Sequence, residues 1–326
     1  MITHRERLQA CLNGEAPDRS PVALWRHFPV DDQTPDKLAA ATINFQRAYD
    51  WDLIKVTPAS SFCLRDWGSE DIWQGDPEGT RHFTRRMINA PADWERLPIL
   101  DPRRGFLADQ IQCLKLIRRE YDSSTPLLQT IFSPLAQAKN LIGGDALIVH
   151  IRQYPSAVMK GLHTIAESTL LFAEACLDAG IDGIFYAVQH AQAGLLTQTE
   201  FAMYGKLMDT RVLSAAKHLP FNMAHLHGEN IYFDSLTDYP VSILNWHDRE
   251  TPPSLAEAQQ KFKGVVCGGL KRETVTLEDS SAIEREARAA VESTQGRRFI
   301  LGTGCVVPII APHGNLLAAR KSVEAK

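Results

Sequence analysis

The stretch Val241-Ser-Ile-Leu-Asn-Trp-His-Asp-Arg-Glu-Thr-Pro-Pro-Ser-Leu-Ala-Glu-Ala-Gln-Gln-Lys-Phe-Lys-Gly-Val-Val-Cys-Gly-Gly269 holds one full unit of strand, helix and strand. Val241–Trp246 is a short apolar run that stops at polar residues, Asn245, His247 and Asp248. Ser254-x-x-Glu257 is a capping box, in which the Ser takes an orphan amide and the Glu reaches back, and Leu255 and Phe262 follow as its apolar residues. Gly264–Cys267 is the next apolar run and ends at Gly268-Gly269. The same alternation extends both ways from this unit. Pro21–Arg26, Asp52–Thr57, Leu127–Phe132, Gly183–Val188 and Phe221–His225 lie before it and Phe299–Gly302 after it. Alternating strands and helices are the pattern of a parallel sheet with crossover helices, and eight strands close a barrel. The expected fold is therefore an α/β (β/α)8 TIM barrel, one domain over residues 1–326.

Between the strands, Leu162, Ile165, Ala166, Thr169, Ala173, Cys176 and Leu177 recur at helical spacing, and Gly180 stands where a helix ends with positive φ. Ser281-x-x-Glu284, followed by Ile283, Ala287 and Val291, reads as a second capping box. Cys63–Asp101 carries Trp67, Trp73 and Trp94 with several Pro and Gly, and reads as an insertion after the second strand that covers one barrel end. Net charge is −4 and 44% of residues are hydrophobic, so neither a nucleic-acid nor an anionic-lipid partner is expected. No apolar run approaches a membrane span, the N-terminus lacks a signal-peptide core, and the six cysteines have no CxxC or disulfide spacing. A cytoplasmic protein is the expectation.

In such barrels chemistry sits at the C-terminal ends of the strands. Five of the 11 histidines, His27, His190, His225, His227 and His247, fall at these ends. His225 and His227, two apart on a strand, share a face at a span one metal ion can bridge. Cys305, in the Gly-rich turn after the last strand, would complete a His/His/Cys set with one position free, as in catalytic zinc. The alternative is a pair of hydrogen-bonded mouth histidines and a small buried Cys. Glu229 in the same loop is a candidate general base or fourth ligand, and His190 and His247 are candidate acid/base groups. Arg26, Lys55, Asn245 and Gln189 are candidate substrate contacts, with Arg26 able to pair with an acid group or, instead, with a structural carboxylate on the rim. Lys55 either faces the barrel interior or snorkels outward between helices.

Pro17-Asp-Arg-Ser-Pro-Val-Ala-Leu-Trp-Arg26, Ser133-Pro-Leu, Asp178-Ala-Gly-Ile-Asp-Gly183, Gly268-Gly-Leu270, Gly302-Thr-Gly-Cys-Val-Val-Pro308 and Asn315-Leu-Leu together resemble the uroporphyrinogen decarboxylase superfamily over nearly the whole chain. The resemblance implies a TIM barrel of one of two kinds: a cofactor-free porphyrinogen decarboxylase, or a zinc-dependent methyltransferase that passes a corrinoid-borne methyl group to a thiol such as coenzyme M. The decarboxylase signature Arg-Gln-Ala-Gly-Arg stands here as Arg26-His-Phe-Pro-Val30, and that branch's Asp, Tyr, Ser and His are replaced near Thr57 and Pro58, Asn140, Gln189 and Gly304. The methyltransferase branch has His-x-Cys after strand five and Cys after strand eight, matched at His225 and Cys305 but with His227 in place of the first Cys. The corrinoid-binding signature Asp-x-His-x-x-Gly is absent. The resemblance thus favours a zinc-dependent methyltransferase acting on a small thiol, with zinc on His225, His227 and Cys305 and any corrinoid brought by a partner protein. Decarboxylation of a tetrapyrrole or smaller carboxylate is the second reading, and a non-catalytic barrel that binds a tetrapyrrole or corrinoid the third. A homodimer is the expected assembly, if the chain assembles at all.

Overall fold

The computed structural model describes residues 2–324. Seven parallel strands form one curled sheet in the order β1 (Ile54–Val56), β4 (Leu127–Phe132), β5 (Gly183–Val188), β6 (Met223–Leu226), β7 (Ile243–Trp246), β8 (Val265–Leu270) and β9 (Phe299–Thr303), while β2 (Glu70–Ile72) and β3 (His82–Arg85) pair as an antiparallel hairpin. β4 and β5 coincide with the runs read from sequence, and the others differ by one to three residues at their ends.

The expected first strand, Pro21–Arg26, is the exception. It is extended backbone with a single parallel bridge from Val22 to Leu301, and it closes the barrel without a regular ladder. Leu301 N–H donates to the Pro21 carbonyl at 2.8 Å, Ala23 N–H to Leu301 O at 2.9 Å, and Asp52 N–H to Val22 O at 2.9 Å. The ladder fails for a chemical reason. Pro21 has no amide hydrogen, and Val22 gives its own to the Asp52 carboxylate at 2.7 Å. Asp52 is fully buried and is further held by Arg7, Arg19 and His4 at 2.7, 2.6 and 2.9 Å, so a charged clamp fastens this seam.

Side chains alternate along the staves. Trp25, Leu128, Phe185, Ala187, Met223, Ile243, Val265, Cys267 and Ile300 fill the barrel interior, joined by Leu8 and Cys11 from the helix His4–Leu12. The opposite faces pack against the outer helices. The longest, Pro155–Asp178, carries the residues read as helical, and Gly180 follows it at φ +85°. Ser254 and Glu257 form the expected capping box of Leu255–Lys261. The second box does not form: Asp279, not Ser281, caps the helix Ser280–Thr294 by accepting the Ala282 amide. Asp279 wins because its carboxylate reaches the third amide ahead of it while Ser281 already lies inside the first turn. Among the described residues no helix is long and apolar enough to cross a membrane.

The 63–101 segment covers the C-terminal end of the barrel in part only. Its hairpin β2–β3 lies over the mouth: Pro77 O accepts the Ile309 amide at 2.7 Å, and Arg81 ties the hairpin to Asp32 and to Pro29 O at 2.7 and 2.6 Å. Trp67 and Trp94 are instead buried against the helix layer, where Trp94 donates to His150 at 3.0 Å.

Candidate metal centre

β6 and β7 pair with a constant offset of 20 residues, so His225 lies level with Asn245, and the next inward position on each stave brings His227 level with His247. β9 ends at Thr303, and a bend over Gly304 and Cys305 turns the thiol toward them. Gly304 is required there because a Cβ would stand 2.6 Å from His247 Cα and 2.9 Å from Trp246 O. One donor atom from each of His225, His227, His247 and Cys305 lies within 4.8 Å of every other. Cys305 Sγ is 3.8 Å from His227 Nδ1.

The imidazoles are oriented from behind. Asn245, fully buried, donates its amide hydrogens to Cys267 O and Thr303 O, both at 3.0 Å, which turns its oxygen to His225 Nδ1 at 2.7 Å. A ring nitrogen facing a carbonyl oxygen must carry the proton, so His225 Nε2 carries the lone pair. Glu250 does the same for His247, accepting from Nδ1 at 3.1 Å. Both Nε2 atoms are buried and have no hydrogen-bond partner among the described residues. Lone pairs that converge on a thiol, each backed by a second-layer acceptor, are the donor set a thiophilic, imidazole-binding cation takes. The residues therefore fit zinc.

Electrostatics at the cluster favour the thiolate. Burial alone would raise the Cys305 thiol, but His225, His227 and His247 outweigh it and hold the group well below its ordinary value. Burial lowers the pKa of His225, against the pull of Cys305. For His247 burial also works downward, but Cys305 and Glu250 prevail and its pKa is raised.

Beside the cluster a cavity of about 100 Å³ is walled by Trp25, Phe132, Phe185, Lys55, Gln189 and Glu78, among others. Lys55 faces inward, and Gln189 lines the wall while accepting from Lys139 at 3.1 Å. His190 is buried nearby, its pKa pushed down to about 4 by burial and by the neighbouring Lys139 and His227. Three sequence expectations are corrected. Arg26 does not reach the cavity. Trp25 and His27 face inward, so alternation turns Arg26 out, where its guanidinium lies 5.3 and 5.4 Å from the Phe28 and Phe45 rings. Asn245 has every polar atom engaged in orienting His225 and none left for a substrate. Glu229 is exposed on the loop after β6 and is not part of the cluster, while the carboxylate that supports the centre is Glu250. His247 as a fourth donor was missed, although the matching positions of the polar ends of strands β6 and β7 held the signal.

A family model described as uroporphyrinogen decarboxylase matches residues 3–325. No curated protein matches the chain. Among solved structures, a methyltransferase from Methanosarcina mazei superposes with TM-score 0.85 at 18% identity, covering 99% of this chain and 98% of that one. A B12-independent methionine synthase from Shewanella sp. W3-18-1, in complex with selenomethionine, gives TM-score 0.60 at 15% identity, covering 93% and 92%. At these identities the likeness shows the fold. The family model, in contrast, spans nearly the whole chain, and with a parallel barrel whose strand ends gather a His/Cys cluster beneath a covering hairpin, the chain belongs to the uroporphyrinogen decarboxylase family.

Proposed function

We propose that this chain is a methyltransferase in which His225, His227 and Cys305, with His247 as fourth donor, hold one zinc ion, and that a small thiol is the methyl acceptor. The observation that carries the reading is the pair of buried, unpartnered Nε2 atoms on His225 and His247, aimed at Cys305 and fixed by Asn245 and Glu250. Bound zinc supplies Lewis acidity, which lowers the pKa of a thiol enough to make it a nucleophile at neutral pH.

The chain's own residues do the rest. Asn245 and Glu250 keep two imidazoles in the donor tautomer without reorganisation. Glu250, accepting from His247 Nδ1–H, makes that imidazole a stronger donor, and the proton that the thiol gives up is released to solvent. The hairpin β2–β3 and the Trp25 and Phe185 walls limit water around the nucleophile. The Methanosarcina methyltransferase and the Shewanella methionine synthase are structures in which this fold carries methyl-transfer chemistry by name, and they support the reading at the level of reaction class. The methyl donor is an electrophile such as a corrinoid-borne methyl group, which a partner protein would bring. A porphyrinogen substrate is disfavoured, because with Arg26 turned outward Lys55 is, among the described residues, the one Lys or Arg lining the cavity against several carboxylates.

The test is metal analysis of the purified protein with methyl-transfer assays before and after chelation. One zinc per chain, lost in Cys305→Ser together with activity, is expected. A zinc-free protein whose activity survives chelation would overturn the reading.

A further inference from the structure

Lys55 is the group that the metal chemistry leaves unused. It comes from β1, is only 8% exposed, and lines the cavity wall. Its nitrogen donates to Thr57 Oγ1 at 3.2 Å and lies 4.4 Å from the Phe185 ring centre. Among the described residues no carboxylate pairs with it, and Glu78, which lines the same cavity, is taken by Arg272 at 2.5 Å. Burial without a carboxylate partner pushes the Lys55 pKa down to about 7. About half of these side chains are then free amines at pH 7, against about one in a few thousand for an ordinary lysine. A lysine desolvated in an apolar pocket in this way is a nucleophile.

His27 lines the same cavity, and its buried Nδ1 has no hydrogen-bond partner among the described residues. The ring's backbone hydrogen bond is with Pro58, which has a carbonyl to offer and no N–H. The nitrogen on that side, Nε2, therefore carries the proton, and Nδ1 keeps its lone pair. Burial, with the neighbouring Lys55 charge, pushes the His27 pKa down to about 4, so the ring is uncharged at neutral pH. A free amine and an unpartnered imidazole lone pair thus share one pocket walled by Trp25, Phe132 and Phe185. Neither has a part in holding the metal.

We propose that Lys55 condenses through its side-chain amine with a small aldehyde or ketone in this cavity, and that His27 removes a proton from the carbon next to the new C=N bond, an activity separate from methyl transfer. Lys55 Nζ forms a bond to the carbonyl carbon. The carbonyl oxygen takes one proton from that nitrogen and one from solvent, and leaves as water. A protonated imine remains, its positive charge beside the Phe185 ring where the ammonium lay. His27 Nδ1 then takes the neighbouring C–H proton; the C–H electron pair becomes a C=C bond and the C=N pair returns to nitrogen, giving a neutral enamine. Return of a proton from the imidazolium reverses the step, and no oxidant, reductant or metal enters it. The carbonyl compound is small, because the cavity of about 100 Å³ is below the roughly 150 Å³ that takes benzene.

Acetone is the probe. Incubated with wild type at neutral pH and then reduced with borohydride, it should leave an isopropyl group on the peptide that carries Lys55, and about a hundredfold less on surface lysines. Lys139 is the internal comparison: burial lowers its pKa too, but it does not line the cavity, so it should stay unlabelled. In D2O, wild type should catalyse exchange of the acetone methyl protons. That exchange should vanish in Lys55→Met, whose urea midpoint should not fall because the charge removed has no partner. In His27→Gln it should drop by about a hundredfold, the share of a general base, while borohydride still traps Lys55. Absence of an adduct on Lys55, or label spread equally over Lys55, Lys139 and surface lysines, would overturn the nucleophile. Unchanged exchange in His27→Gln would overturn the base. The same results are expected after chelation, and an adduct confined to the metal-loaded protein would overturn the assignment to these two side chains.

Discussion

Asn245 is the residue on which the metal argument can be broken most cleanly. Its side chain makes three hydrogen bonds at full burial: two donated to Cys267 O and Thr303 O, and one accepted from His225 Nδ1. Replacing it by Leu, of similar volume, strands two carbonyls and a ring N–H. At about 1 to 3 kcal/mol for each buried polar group left unpaired, and with some relaxation, the fold should lose about 3 to 5 kcal/mol. The metal effect is separate. Without the Asn245 oxygen His225 no longer has a reason to keep its proton on Nδ1, and an outer-shell loss of this kind costs about 10- to 100-fold in metal affinity. Urea unfolding of the chelated protein reads the first number, and competition with a chromophoric chelator reads the second. If Asn245→Leu unfolds at lower urea yet binds zinc as tightly as wild type, the tautomer argument is wrong and Asn245 is a structural residue only.

Glu250→Gln removes the carboxylate behind His247 at a solvent-touching position, so zinc affinity should fall about tenfold with little change in urea midpoint; unchanged affinity would remove His247 from the donor set. Gly304→Ala puts a methyl 2.6 Å from His247 Cα, and the bend must shift, so zinc content should drop by more than in any conservative change elsewhere on β9, as metal analysis would show. Asp209, fully buried and hydrogen-bonded by Tyr186 and Tyr239, has its carboxyl pushed by burial up to about 7. A carboxyl raised on folding contributes stability that is fully present below the unfolded value near 4 and is lost as pH rises through about 7. Asp209→Asn should therefore flatten the alkaline limb of the stability profile by about 4 kcal/mol at most, and urea midpoints that fall in parallel with wild type from about pH 5 to 8 would refute it.

The barrel was legible because hydrophobic runs of five or six residues, such as Leu127–Phe132 and Gly183–Val188, need no tertiary help to be recognised. The first stave was legible as extended chain but not as a bridge-poor seam, since that depends on the Asp52 carboxylate, 30 residues away, taking the Val22 amide. Three of the four cluster residues were legible. His225 and His227 announce themselves by spacing and Cys305 by its place after the last strand, whereas His247 joins them only through the register of β6 on β7. Arg26 stands between the inward-facing Trp25 and His27, so alternation turns it outward although its charge at a strand end points to the mouth. Asn245 could not be read as a positioning residue, since two of its three partners are backbone carbonyls that carry no sequence signature.

Charge balance ties the cluster to the neighbouring cavity. A divalent cation on three neutral histidines and the Cys305 thiolate would leave one positive charge in a buried place, where a set with a second thiolate in the position of His227 would leave none. Lys55, when ionised beside the same cavity, adds another. Positive charge at low dielectric is costly in the free protein and is offset by a ligand that ionises at the cluster. His227 in place of a thiolate weakens the push on a bound nucleophile but favours the ionised form of a bound thiol. The substitution His227→Cys should reverse both: zinc should be retained while the acidic limb of methyl transfer moves to higher pH, because a more negative donor set holds a bound thiol's proton more tightly, and a pH profile that does not move would show that the charge of the donor set does not govern ionisation of the acceptor.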